Sequence, residues 1–301
     1  MDSTDFEILK ILNKNGRRSF LSIAKELKIS GTAVQKRVER MINEGVILSF
    51  EVNFDVSLMQ LNTCIADVKV KGKFITDEII SGLKKIPNIF FVIGTIGDVF
   101  TIMFYFESSK DLEQIIEQIG LVKGVSNVMT SIPRGYRPID ITLSPLDWKI
   151  IHSLNHNARK KNHEIAKELS VSPKTIKRRL DRLVMEKAIF FTVDVDLSRA
   201  KNYIIYLLIV DLKTGVRKGK IKNEIKNRFS EIWAEEGPVQ PSIVFFMYAR
   251  TLSEIGDVLE EVKKIPEVKA VTVSLYTSYY RFTEWFDKRL EEKVNLIKKS
   301  K

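Results

Sequence analysis

The chain contains itself twice. Asp5 to Ile47, DFEILKILNKNGRRSFLSIAKELKISGTAVQKRVERMINEGVI, lies without a gap over Asp147 to Ile189, DWKIIHSLNHNARKKNHEIAKELSVSPKTIKRRLDRLVMEKAI, at an offset of 142 positions. IAKEL recurs intact, as do the leading aspartate, an Asn-x-Asn, the arginines at 37/179 and 40/182 and the closing isoleucine. Self-similarity restricts a fold more than any local pattern, because each copy must be a unit that the chain builds in duplicate. A tandem duplication predicts the order module, second domain, module, second domain. The expected divisions are 1–55, 56–146, 147–198, 199–280 and a final amphipathic helix over 281–301.

Each module reads as three helices and a β-rich run. Phe6, Ile8, Leu9 and Leu12 mark one face of a first helix over Asp5–Asn15. Phe20–Leu27 is a short second helix, and Lys28-Ile29-Ser30 a tight turn. Ser30 and Ser172 stand where an N-cap is needed for the third helix, with Pro173 at its favoured first position. VILSFEVNFD and AIFFTVDVD follow. That succession predicts a winged helix-turn-helix, whose third helix enters the major groove of DNA.

Projected at 3.6 residues per turn, the third helices separate into faces. Val34, Val38, Met41 and Ile42 are expected to point inward in the first copy, and Ile176, Leu180, Leu183 and Val184 in the second. Thr32, Gln35, Lys36 and Arg40 face outward in one, and Lys174, Lys177, Arg178 and Arg182 in the other, with Thr175 beside them. Arg37 and Arg179 fall on the flank of the apolar stripe, where a stem packs and the head reaches sideways. Lys177 and Arg178 are the candidate base readers. Arg17, Arg18, Arg159 and Lys160, entering the second helices, are candidate phosphate contacts. The alternative for any such face is plain solvation.

The charge distribution favours a polyanion. The excess of +11 is spread as about +1 over 1–55, about 0 over 56–146, about +5 over 147–200, about +2 over 201–280 and about +3 over 281–301. It concentrates in the second module, as a double-stranded DNA partner would require.

After each module comes an alternation of strands and helices. LNTCIADVKVKG, ITDEIISGLKKIP, NIFFVIGTIGDVFTIMFYFE, SSKDLEQIIEQIGLV and GVSNVMTSI give βαββαβ, and the second copy repeats the order. The expected class is α+β, two winged helix-turn-helix modules each followed by a ferredoxin-like domain. One sheet face packs on two helices; the other carries large apolar residues and needs a cover, so the two βαββαβ domains are expected to pair sheet to sheet within the chain.

Asp-x-x-Ile-Leu-x-x-Leu-x-x-Asn-x-Arg, IAKEL, Ser-x-x-x-Val/Ile-x-Lys/Arg-Arg and a GVI-like end, followed by βαββαβ, resemble the Lrp/AsnC (feast/famine) transcription regulators. The resemblance covers nearly the whole chain, twice. Members of that family usually carry one copy per chain, dimerise through the βαββαβ domain and often assemble further. The resemblance therefore implies a DNA-binding regulator in the form of a covalent pseudo-dimer, open to further homo-oligomerisation. It also implies a small effector, often an amino acid, near the turn that matches Gly94, Gly97 and Asp98. A plain hairpin explains those residues equally. The second copy departs here, reading WAEEGPVQPSIVFF, and Lys187-Ala188 replaces the Gly-Val of the first.

A relative of this architecture decarboxylates sirohaem with histidine in the βαββαβ domains. Here His152, His156 and His163 all lie in the second winged module. The first two have i, i+4 spacing without a third metal ligand, and no P-loop, Ser/His/Asp set or H-E-x-x-H appears. The expectation is a non-enzyme without cofactor or metal. Cys64, the one cysteine, lies in an apolar strand and reads as a buried, inert thiol. No apolar run reaches a membrane span and the N-terminus shows no secretory pattern, so a cytoplasmic location is expected. In the tail, Phe282, Trp285, Phe286, Leu290, Val294 and Ile297 form a stripe suited to capping a core.

Overall fold

The computed structural model describes residues 1–72, 76–132, 141–155, 157–235 and 242–299. In chain order the first module is α1 (Ser3–Lys14), α2 (Phe20–Leu27), α3 (Gly31–Asn43) and β1 (Ile47–Phe54). The first βαββαβ segment is β2 (Asn62–Val70), α4 (Thr76–Lys84), β3 (Ile89–Thr95), β4 (Val99–Phe106), α5 (Ser109–Gly120) and β5 (Val125–Ser131). The second module is α6 (Pro145–Leu154), α7 (Asn162–Glu168), α8 (Pro173–Met185) and β6 (Ile189–Val195). Then come β7 (Ile204–Leu212), α9 (Lys218–Arg228), β8 (Ile232–Glu235), β9 (Ser242–Ala249), α10 (Leu252–Lys263), β10 (Val268–Arg281) and α11 (Glu284–Lys299).

These elements sort into two compact units, one gathering both βαββαβ segments and the other both helical modules with α11. In the first unit the strands form one eight-stranded sheet in the order β5-β2-β4-β3-β10-β7-β9-β8. The two βαββαβ segments, expected to cover each other sheet to sheet, instead share one continuous sheet joined edge to edge. β10 pairs with β7 through Leu275 and then with β3 from Tyr276 to Arg281, with an irregularity between Tyr276 and Ser278. Two helix-covered cores flank this joint. One holds Cys64, Val92, Ile102 and Phe104 under α4 and α5; the other holds Tyr206, Leu208, Phe245 and Met247 under α9 and α10. Ile93, Tyr105, Leu207 and Tyr248 are buried outside both cores, so the opposite face is covered as well.

In the second unit the caps act as the sequence suggests. The Ser30 hydroxyl accepts from the Ala33 N–H, and the Ser172 hydroxyl from the Thr175 N–H, with Pro173 opening α8. Asp2 with Asp5, and Ser144 with Asp147, form capping boxes on α1 and α6. Left-handed backbone recurs at matching places: Lys28 and Ser170 end the second helices, and Gly45 and Lys187 precede β1 and β6. Lys187 thus takes the conformation that glycine supplies in the first copy, at the steric cost a Cβ carries there. Ile42 and Val184, expected inward, are each 43% exposed at the ends of α3 and α8. Each is the penultimate residue of its helix.

β1 and β6 pair antiparallel with each other, from Ile47 opposite Val195 to Phe54 opposite Ile189. Each strand therefore completes the opposite half. Val52 and Phe54 of β1 lie in the core of the second module, with Phe54 edge-on to Trp148 at 5.7 Å. α11 joins that core through Leu290, Val294 and Phe286. Phe282, expected in the same stripe, packs instead on the core under α4 and α5, because β10 continues to Arg281.

Candidate nucleic-acid interface

α3 and α8 anchor their inner faces through Val34, Val38 and Met41, and through Ile176, Leu180 and Leu183, all buried. Their outer faces differ. On α3, Thr32, Gln35 and Lys36 are exposed, and Gln35 donates to Glu39 at 2.8 Å. On α8, Lys174, Lys177 and Arg178 are exposed, and Lys177 pairs with Asp181 at 2.7 Å. That pair is solvent-exposed on both sides and is worth about 0.3–0.5 kcal/mol, so a phosphate or base edge displaces it readily. Lys36, Lys174 and Arg178 have no hydrogen bond or ion pair among the described residues. The cations available to a ligand thus stand three on α8 and one on α3.

The remaining arginines of the third helices are engaged inside the modules. Arg37 Nη1 donates to Asp2 (2.7 Å) and Asp5 (2.8 Å), and Arg40 Nη2 to Asp5 (2.5 Å). In the second copy Arg179 Nη1 donates to Ser144 Oγ (2.8 Å) and Asp147 (3.0 Å), and Arg182 Nη2 to Asp147 (2.8 Å). Asp5 and Asp147 are wholly buried. Burial, the largest single influence on Asp147, pushes its pKa up. The bonds from Ser144 and Arg179 together outweigh it and hold the carboxyl below its ordinary value. These four arginines, expected at DNA, tie the third helix to the first. Thr175 is likewise used in the cap of α8, its hydroxyl 2.9 Å from that of Ser172.

The expected phosphate contacts divide in the same way. Arg17 Nη1 donates to the Ala158 carbonyl and Nη2 to Asn162 Oδ1, both at 3.0 Å. Arg159 Nη1 donates to the carbonyls of Gly16 (2.7 Å) and Arg18 (3.1 Å). Arg17 also lies over Phe191, and Arg159 over Phe20 and Phe50. Desolvation lowers the pKa of both, with the nearby charge of Arg17 adding to the effect at Arg159. Both are thus engaged with acceptors in the opposite half of the unit. Arg18 pairs with Glu26 at 2.6 Å and Lys160 pairs with Glu168, which orient them along the second helices while leaving them partly exposed. The signal that separates these roles was present in the sequence: arginines identical in both copies (17/159, 37/179, 40/182) are bonded to acceptors within the unit, and the positions that differ (32/174, 35/177, 36/178) face outward.

In the other unit, the turn between β3 and β4 has Gly97 at φ +108°, a conformation suited to glycine. Gly94 faces Ser278 of β10, where a Cβ would stand 2.3 Å from the hydroxyl oxygen. Asp98 accepts the Val70 N–H through its carbonyl at 2.8 Å. Gly94 belongs to the strand pairing, and Gly97 and Asp98 form the hairpin turn. The corresponding stretch of the second copy, 236–241, lies outside the described residues, as does His156. His152 and His163 are exposed, and among the described residues no group of three His, Cys, Asp or Glu is disposed to hold a metal ion. Cys64 is buried and burial pushes its thiol up to about 11. Among the described residues no helix is long and apolar enough to cross a membrane.

Comparison with known proteins agrees with this geometry. Residues 1–47 match the winged helix-turn-helix DNA-binding family, and residues 143–184 the AsnC-type helix-turn-helix domain. The HTH-type transcriptional regulator LysM of Sulfurisphaera tokodaii is 37% identical over 134 residues, which are 44% of this chain and 94% of that protein. LysM of Saccharolobus solfataricus is 32% identical over 136 residues, 44% of this chain and 92% of its own length. A solved structure of the siroheme decarboxylase NirDL matches 99% of this chain and all of its own at a TM-score of 0.57 and 14% identity, a likeness of fold. Two helix-turn-helix modules of the expected type, each joined to a ferredoxin-like domain, and relatives matched along almost their full length place this chain in the Lrp/AsnC family.

Proposed function

We propose that the chain is a sequence-specific, double-stranded DNA-binding transcription regulator, and that a tandem duplication has made it a covalent pseudo-dimer with two unequal readers. The observation that carries this is the outward face of α8, where Lys174, Lys177 and Arg178 stand exposed on a helix held rigidly from behind. A bidentate arginine–guanine contact is worth about 1–3 kcal/mol of discrimination, which suits Arg178 to base reading with Lys177 beside it. α3 offers Thr32, Gln35 and Lys36, a less charged surface that reads through hydrogen bonds. Arg18 and Lys160, freed from their glutamates, serve as phosphate contacts at the edges. The relatives matched by half of this chain are named as transcriptional regulators, which supports the same role.

The fold likeness to a decarboxylase favours no catalytic reading, since the histidines of this chain all lie in the second winged module. We read it as a non-enzyme acting in the cytoplasm. Response to a small effector such as an amino acid is an extension carried by family resemblance alone.

Titration of a random-sequence duplex at several salt concentrations tests the proposal. Lys177→Ala with Arg178→Ala weakens binding far more than Gln35→Ala with Lys36→Ala, since a bidentate base contact is worth about 1–3 kcal/mol. Equal losses, or binding insensitive to both pairs, would refute the unequal-reader reading.

A further inference from the structure

We infer that Arg17 and Arg159, which touch no DNA in this account, fix the separation at which the two third helices read it. The inference rests on the DNA-binding reading and adds a specificity determinant to it. The two arginines form a reciprocal clasp: Arg17 donates to the carbonyl of Ala158, the residue before Arg159, and Arg159 donates to the carbonyl of Gly16, the residue before Arg17. Around this centre the backbones cross in the same manner. The Gly16 N–H donates to the Phe191 carbonyl at 3.0 Å, and the Ala158 N–H to the Phe50 carbonyl at 2.9 Å. Thr192 of β6 donates to the carbonyl of Asn13 at the end of α1.

This joint has no room to slide. A Cβ on Gly16 would lie 2.2 Å from the Thr192 carbonyl oxygen, so the backbone of one half already touches the strand of the other. Both clasp segments lead within a few residues into the second helices, α2 and α7, against which α3 and α8 are set. A hinge needs backbone groups that exchange partners with water at little cost. Here the partners are part-buried guanidinium groups stacked on Phe191, Phe20 and Phe50, and releasing them strands three carbonyls, those of Gly16, Arg18 and Ala158, and two charges. The reading heads therefore move as one frame, and the protein rather than the DNA sets the spacing and helical phase of the two half-sites.

The experiment uses the full chain and a duplex selected from a random-sequence pool, rebuilt with inserts of a single base pair, about half a turn and about one turn between its two halves. With a rigid frame every insert abolishes the contribution of the weaker half, a loss of about tenfold or more. Binding stays low with the full-turn insert, where the phase is restored but the distance has grown by about 34 Å. Arg17→Ala with Arg159→Ala broadens this profile, while affinity for a duplex carrying the stronger half alone stays within about twofold. The native profile decides the matter even if that double variant folds poorly. Recovery of native binding at the full-turn insert, or a selected sequence with one half only, would overturn the role of the clasp. Failure to select any sequence would instead count against the DNA-binding function.

Discussion

Asp147→Asn is the perturbation whose consequence follows most directly from the geometry. The carboxylate is wholly buried and accepts from the Ser144 N–H and hydroxyl, from Arg179 and from Arg182. An amide of the same shape keeps an acceptor but sets an NH2 group against donors and removes the charge facing two guanidinium groups. Breaking a buried ion pair costs about 3–5 kcal/mol. The arginine side chains are 26% and 39% exposed, so water recovers part of their charge and the lower figure, about 3 kcal/mol, applies. Native-state hydrogen exchange at the Ile151 and Leu183 amides reads this locally, independent of the other unit, as roughly a hundredfold loss of protection. Asp181→Asn on the exposed face is the control and changes it by less than about 0.5 kcal/mol. The native carboxyl is depressed, so its contribution is complete above the unfolded value of about 3.9 and is lost as pH falls through the folded value. The difference between native and variant must therefore shrink in acid. A loss below tenfold at neutral pH, equal to that of the control, would refute the clamp.

Two other outcomes follow from packing. Gly16→Val forces β6 away from the first module and lowers the thermal midpoint, with a cost of about 1–3 kcal/mol or more; an unchanged midpoint would contradict the close approach. With its thiol pushed up to about 11 and shielded in a core, Cys64 reacts with a thiol reagent at pH 8 only after denaturation, and fast labelling of the native chain would contradict its burial.

The fold was legible because its signals are redundant. Serine caps, apolar stripes and alternating strands each point to the same elements, and the repeat states every one of them twice. What escaped was set by partners far away in sequence. β10 runs on to Arg281 because of its second pairing, with β3, whose residues lie far away in sequence. The edge joint between the sheets has no sequence period of its own. Arg17 and Arg159 looked like phosphate contacts because a basic loop entering a helix usually faces solvent. Their acceptors are carbonyls 141 and 143 residues away, which no local pattern displays. Even the cores exchange volume between strands: Cys64 with Phe104 and Phe106 in one half stand where Tyr206 with Met247 and Ala249 stand in the other.

The claim at the centre of this account is that one chain presents two readers of unequal strength. In vitro selection of bound duplexes from a random-sequence pool by the full chain measures that directly. The account predicts an enriched site of two halves, one strongly constrained and containing guanine opposite α8, the other weakly constrained. A palindrome with two equal halves, or no enrichment at all, would contradict it.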